Sequence, residues 1–177
     1  EGSMKLNDIV RLDGAVSFGK WKFDGDADGL YTEYAEDAPI QTAYTYTLDG
    51  LYVGDQPQTA YVLGTTLTPM DGLRLQGIFK MYDKNYADWS PDSRELSGDA
   101  DRSQVWQAPG YNRLDLHASY KLPKVAGYDM TLTGHVFNAL DAVYVQDAVD
   151  NSQYNGFGDK LHLAHNAEVF LGTPRYF

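Results

Sequence analysis

Four stretches of this chain alternate an apolar face with a more polar one, and the connections between strand candidates alternate strictly between short and long. In residues 10–18 one face reads Val10, Leu12, Gly14, Val16 and Phe18, and the other Arg11, Asp13, Ala15 and Ser17. Residues 73–82 set Leu73, Leu75, Gly77, Phe79 and Met81 against Arg74, Gln76, Ile78, Lys80 and Tyr82. Residues 113–122 set Leu114, Leu116, Ala118, Tyr120 and Leu122 against Arg113, Asp115, His117, Ser119 and Lys121. Residues 128–136 set Tyr128, Met130, Leu132, Gly134 and Val136 against Asp129, Thr131, Thr133 and His135. A period of two over this length belongs to strands with one apolar face. Residues 58–68 and 167–176 are two further strand candidates, and no segment carries a helical period. The chain reads as all-β.

The connections narrow the architecture. Pro69-Met70-Asp71-Gly72 is a tight turn and residues 122–127 a short link, whereas 24–57, 85–110 and 138–166 are long. Soluble sandwiches scatter their loop lengths; membrane barrels place short turns at one end and long loops at the other. Strands of about ten residues are the length a tilted strand needs to cross the hydrocarbon layer. No apolar run approaches the length of a spanning helix, and alternation lowers mean hydropathy to −0.45 without arguing against spanning strands. The expected fold is an antiparallel up-and-down transmembrane β-barrel segment of about six spanning strands. A soluble all-β domain is the competing reading, and it must account for Gly14, Gly77 and Gly134 within apolar faces.

Composition excludes several functions. The net charge of −11 is wrong for nucleic acid, which needs a basic stripe. With no Cys there is no disulfide framework, thiolate metal site or thiol nucleophile. No nucleophile elbow, phosphate loop or framed carboxylate pair is present, so the chain is not expected to be an enzyme. Between Asp24 and Pro57 stand eight acids (Asp24, Asp26, Asp28, Glu33, Glu36, Asp37, Asp49 and Asp55) and no Lys, Arg or His. Within them DGDADG, residues 24–29, matches the first half of a calcium loop, with Asp24, Asp26 and Asp28 at positions 1, 3 and 5. Ala35 stands where the bidentate Glu belongs and Glu36 comes one residue late, which favours an acidic solvated loop tip over a calcium site. His162 and His165, three apart, would fall on opposite sides of a strand, a poor start for a metal site. The long connections hold Tyr31, Tyr34, Tyr44, Tyr46, Tyr86, Trp89 and Trp106, aromatics suited to stacking on sugars or on cationic or chelated ligands. Tyr44, Tyr46, Tyr86 and Trp89 serve equally well as strand extensions or an outer aromatic girdle.

Residues 135–145 read HVFNALDAVYV. They resemble the end of the penultimate strand in TonB-dependent receptors, where an Asn-Leu-Phe-Asp-like tetrapeptide, here Asn138-Ala139-Leu140-Asp141, precedes a Tyr, here Tyr144. LDGAVSFGKWKF (12–23) is similar to a rising strand of that family ending in Gly-x-Trp. DGLYVGDQPQTAYVLGTTLTPMDGLRLQGIFKMYDKNYADW (49–89) is similar to its loop–strand–turn–strand unit, in the form found in large Bacteroidetes-like receptors. AEVFLGTPRYF (167–177) resembles the start of its final strand. The set is collinear and covers nearly the whole chain. The resemblance implies the C-terminal part of a plugged barrel of about 22 strands, with the plug and earlier strands outside residues 1–177. It implies the outer membrane of a Gram-negative bacterium and uptake of a scarce nutrient: a metal chelate, vitamin, glycan or peptide. The partners would be outer-membrane lipid, the remaining strands and plug, and the TonB complex acting through an N-terminal part. No cofactor is expected unless the acidic loop binds calcium. His117 and His135, on polar faces, would line the lumen or meet the plug. The family's final strand runs several residues beyond Pro174-Arg175, so the chain is expected to stop short of the strand's end. Two readings from other classes are a soluble carbohydrate-binding β-sandwich and a passive porin or adhesin barrel.

Overall fold

A computed structural model describes residues 1–34, 38–90, 102–124, 126–152 and 161–177. The fold is all-β and antiparallel, with no α-helix among the described residues. Its frame is an open six-stranded sheet built from β1 (Gly2–Lys5), β2 (Val10–Phe18), β5 (Thr59–Met70), β6 (Leu73–Asp83), β9 (Tyr111–Lys121) and β10 (Thr131–Val136). Between these lie β3 (Ala27–Tyr34) with β4 (Pro39–Tyr46) and β7 (Asn85–Tyr86) with β8 (Gln107–Ala108), and after them β11 (Val145–Asp150) with β12 (Ala167–Leu171), each a separate two-stranded sheet.

The order in the large sheet is sequential, β1-β2-β5-β6-β9-β10, so every strand pairs with the one before it and no Greek-key crossing occurs. All short connections fall at one end. The first turn is held by Asn7, whose side-chain oxygen accepts the N–H groups of Ile9 and Val10 at 2.9 and 2.8 Å. At the second, Gly72 takes φ +78°, a left-handed conformation that costs glycine little. A side chain there would also meet the Lys121 carbonyl, whose own N–H donates to Gly72 O at 2.8 Å. The third runs from Lys121 to Thr131, where the Leu122 N–H donates to Met130 O at 2.9 Å. The long connections, 19–58, 84–110 and 137–175, all leave from the opposite end. The expected alternation of connections is therefore the observed one, with the 6–9 turn added.

Because directly paired residues share a face, register sorts the side chains. Leu12 pairs with Thr65, Val16 with Tyr61, Leu63 with Phe79, Leu67 with Leu75, Phe79 with Leu114, Leu116 with Val136, and Tyr120 with Leu132. These side chains form one apolar surface across five strands. Arg11, Asp13, Arg74, Lys80, Arg113, Asp115 and His135 occupy the other face. Among the described elements no second sheet packs on the apolar face. Much of it is left open, with Leu67 36%, Leu63 54%, Val16 55% and Leu132 65% exposed, while Leu12, Phe79, Leu114 and Val136 are half-buried among their neighbours. Gly14, Gly77 and Gly134 lie on this face with room for a methyl group, so nothing in the packing requires glycine there.

The hydrophobic core sits elsewhere. Leu48, Leu51, Ala87, Trp89, Val105 and Ala148 form a buried cluster, flanked by Tyr46, Tyr86, Trp106 and Val145. All of these come from the three long connections, which pack on one another beyond the end of the sheet. Leu51 is 1% exposed, and burial of such a side chain is worth about 1.5–3 kcal/mol.

Several elements differ from expectation: the candidate 128–136 is strand only from Thr131, and Pro69 and Met70, expected in the turn, end β5. The stretch 24–57 holds the β3–β4 hairpin instead of an irregular loop, and β11 lies within 138–166. The last candidate, 167–176, is strand only to Leu171 and pairs with β11 instead of joining the meander. The chain returns to the sheet afterwards: Tyr176 and Phe137 exchange two backbone hydrogen bonds, at 2.9 and 3.3 Å, along the free edge above β10.

Candidate functional site

The end carrying the long connections gathers the residues that sequence reading singled out, and the sequence signatures meet there in space. Gln58, 1% exposed, accepts the Trp21 N–H on its side-chain oxygen at 2.6 Å, while its backbone N–H donates to Lys84 O at 3.1 Å. Gly54 lies against Ala87 and Asp88 so closely that a Cβ would stand 2.5 Å from Asp88 Cα. The Gly-x-Trp, Gly-Asp-x-Pro-Gln and Tyr-Ala-Asp segments are thus one junction, in which each fixes the next.

The tetrapeptide Asn138-Ala139-Leu140-Asp141 is a second junction. Asn138, 1% exposed and at φ +49°, donates from its side-chain amide to Ala142 O and Thr173 O at 2.9 and 3.1 Å. Its side-chain oxygen accepts the Ala142 N–H at 3.0 Å. Asp141 accepts the Arg175 backbone N–H at 3.2 Å and its guanidinium at 3.3 Å. Tyr144 is stacked on Tyr111 with centroids 4.2 Å apart, and its hydroxyl accepts from Arg113 at 3.2 Å. The connection after β10 therefore folds over the polar face. Beneath it Asp115 is 2% exposed, contacting Lys80 and Arg113 at 3.1 Å each and accepting the Asn138 N–H at 3.0 Å.

The candidate aromatics separate into two groups. Trp89 is 6% exposed in the core, and Tyr46, Tyr86 and Trp106 pack against that core, Tyr86 stacked on Tyr52 at 4.3 Å. Tyr34 stands 86% exposed at the far end of β3. Tyr31 and Tyr44 are placed by register in the same hairpin, opposite Thr42 and Gly29. Of the candidate aromatics whose side chains are described, Tyr34 alone is fully exposed, and Trp89 and Trp106 serve the platform that carries the β3–β4 hairpin.

The acidic loop is built into the same platform. Asp26 accepts the N–H groups of Leu48 and Asp49 at 3.0 Å each and a two-point ion pair from Arg102 at 2.9 and 2.6 Å. The Arg102 hydrogen bond, with help from the backbone donors, lowers its carboxyl to about 2. Asp28 accepts the Thr45 hydroxyl at 2.7 Å across the hairpin. Ala35 and Glu36, which bear on a twelfth calcium ligand, lie outside the described residues. Among the described residues no group of three acids or imidazoles is placed to hold a metal ion.

Two polar groupings carry no sequence signal. Burial, then a hydrogen bond shared with Asp147 and the charges of Asp147 and Asp88, push the Asp55 carboxyl up to about 7. This cross-loop carboxylate pair is a perturbed-acid feature of the kind that marks functional surfaces. Asp150 faces the His162 ring at 2.5 Å and accepts from the Ser152 hydroxyl and N–H. Burial works against this carboxylate, but the His162 and Ser152 bonds outweigh it and hold the group below its ordinary range. The Ser152 hydroxyl bonds the carboxylate and Leu161 O, not the imidazole, so the trio lacks the order of a nucleophilic triad. No protein-family model matches the chain, and no curated protein matches it significantly.

Proposed function

We propose that this chain is part of the barrel of a TonB-dependent outer-membrane receptor. In this reading the apolar face meets lipid, the polar face meets the lumen, and the packed long connections form part of the outward mouth that captures a scarce nutrient. The observation that carries the reading is the single-layer sheet whose apolar face is left open across five strands. A soluble sheet would cover such a surface, since exposed apolar patches of this extent mark interfaces with protein or membrane. Strand length supports it: β2, β5, β6 and β9 have 9, 12, 11 and 11 residues, close to the 9–11 or so that a tilted spanning strand needs. So does the arrangement of turns at one end and long connections at the other. The two free sheet edges would be satisfied by neighbouring strands of the same barrel, because unpaired backbone groups are not tolerated in lipid. The resemblance of four collinear segments supplies the family, and the exposed β3–β4 hairpin, with Tyr34 at its tip, is the surface we assign to nutrient contact.

Substitution of a central residue on each face tests the reading. Leu116→Arg, at the middle of β9 on the apolar face, should destabilise the protein folded in lipid vesicles by about 2–4 kcal/mol. Thr133→Arg, next door on the polar face, should change it by about 0.5 kcal/mol or less. A chain that folds as a monomer in water and is indifferent to Leu116→Arg would overturn the proposal.

A further inference from the structure

On the polar face His117 and His135 stand directly opposite each other in β9 and β10, with Nδ1 atoms 2.8 Å apart. Each ring is held by its surroundings. Phe137 packs edge-on to His117 at 5.5 Å and lies nearly parallel to His135 at 5.9 Å. Phe137 is in turn stacked on Tyr176 at 4.7 Å and hydrogen-bonded to it through the backbone. Arg74, Gln76, Ser119 and Thr133 line the groove around the pair, about 300 Å³ in volume. The hydrogen bond needs one Nδ1 protonated and the other bare; with that proton gone, a turn of the two rings brings both lone pairs onto one ion.

From this geometry we infer that His117 and His135 form a two-nitrogen site for a divalent transition metal of square or tetragonal preference, Cu(II) above the others. Imidazole nitrogens at about 2.0 Å from one metal stand about 2.8 Å apart when they occupy adjacent corners of a square, and about 3.3 Å apart in a tetrahedron. The 2.8 Å separation is that of the hydrogen bond the ion would replace, and it lies nearer the square value than the tetrahedral one. Cu(II) also heads the affinity order of first-row dications for nitrogen ligands. Among the described residues no third acid or imidazole joins the pair as a metal group. Water or a chelator therefore fills the remaining corners, and Arg74 on the groove wall favours a chelator carrying negative charge. The inference rests on strand register and the facing Nδ1 atoms, and it holds whether the sheet stands in lipid or in water.

The full chain, folded in detergent micelles, is titrated with Cu(II) sulfate at mildly alkaline pH and read by electron paramagnetic resonance. Wild type should saturate at one such ion per chain with hyperfine coupling to two imidazole nitrogens. His117→Ala and His135→Ala should each weaken binding about tenfold or more and leave one coupled nitrogen. His165→Ala, remote from the pair, should bind as wild type. Far-UV circular dichroism confirms that each variant keeps its strands; if one does not, the nitrogen count of the wild-type spectrum decides alone. A wild-type spectrum without the two-nitrogen pattern, or undiminished binding by either folded His variant of the pair, would overturn the inference.

Discussion

Asn138→Ala should cost the protein about 3–5 kcal/mol, the sum of two penalties with different origins. The first is the loss of three hydrogen bonds to backbone groups of Ala142 and Thr173 at a site 1% exposed. Leaving buried backbone groups without partners costs about 1–3 kcal/mol each, and partial relaxation keeps the total well below the simple sum. The second is conformational. Asn138 sits at φ +49°, where Asn is tolerated but Ala pays about 1 kcal/mol or more. The two parts separate by experiment: Asn138→Gly loses the same hydrogen bonds without the backbone penalty, so it should be less destabilising than Asn138→Ala by about 1 kcal/mol. Urea unfolding followed by Trp fluorescence reads both. Equal losses in the two variants would show that the left-handed turn carries no strain, and a loss under about 1 kcal/mol for either would show that the junction is not a structural clasp.

Asp115→Asn is the second large effect, about 3 kcal/mol. Asp115 is 2% exposed and is the anion on which Lys80 and Arg113 converge. Removing the charge keeps the shape, but Lys80 and Arg113 both donate to Oδ2 and the Asn138 N–H donates to Oδ1, so the amide NH2 must face either the two cations or that N–H. Breaking a buried pair from one side costs about 3–5 kcal/mol. The lower value applies here because the Lys80 and Arg113 side chains remain 24% and 29% exposed. Lys80→Met, by contrast, leaves Asp115 with Arg113 and the Asn138 N–H, so it should cost about 1 kcal/mol or less. The asymmetry between the two is the diagnostic result. A larger effect for Lys80→Met than for Asp115→Asn would mean that the carboxylate is not the centre of the network.

The frame of the fold was legible because alternation is a local property. Each strand declared its own two faces at 10–18, 73–82 and 113–122, and register then only had to align them. The β5 pattern was blurred by Thr65, Thr66 and Thr68 but lay between clear neighbours. What escaped reading lacks a period. β1 is four residues long. β3 and β4 form a hairpin exposed on both sides, so neither strand needs an apolar face. The core residues Leu48, Leu51, Ala87, Trp89, Val105 and Ala148 come singly from three separate connections, and only tertiary packing brings them together. The same limit applies to the site. That His117 and His135 lie on polar faces follows from alternation, but their pairing depends on the length of the 122–130 turn, which fixes register. The Asp55–Asp147 pair joins residues about ninety positions apart and left no local trace.

The signatures at 54–58, 82–88 and 138–144 acquire a physical meaning from their contacts. Gln58, Gly54, Asn138 and Asp141 hold backbone to backbone where long connections leave the sheet. Such residues fix the platform, whereas the exposed hairpin they support is free to vary in what it contacts. In the proposed receptor reading, this division gives a mouth rigid at its base and specific at its tips.

In the proposed barrel the apolar face meets lipid and the polar face meets water or protein. The absence of cysteine allows it to be read directly, because each introduced thiol is the sole labelling site. Leu63→Cys, Leu75→Cys, Leu116→Cys and Leu132→Cys on one face, and Gln76→Cys, Ser119→Cys and Thr133→Cys on the other, are spin-labelled in the chain folded into lipid vesicles. The first set should collide with dissolved oxygen and be shielded from a water-soluble nickel complex, while the second set should do the reverse, so that accessibility alternates with a period of two along β6 and β9. Equal access of the nickel complex to both sets would contradict that arrangement.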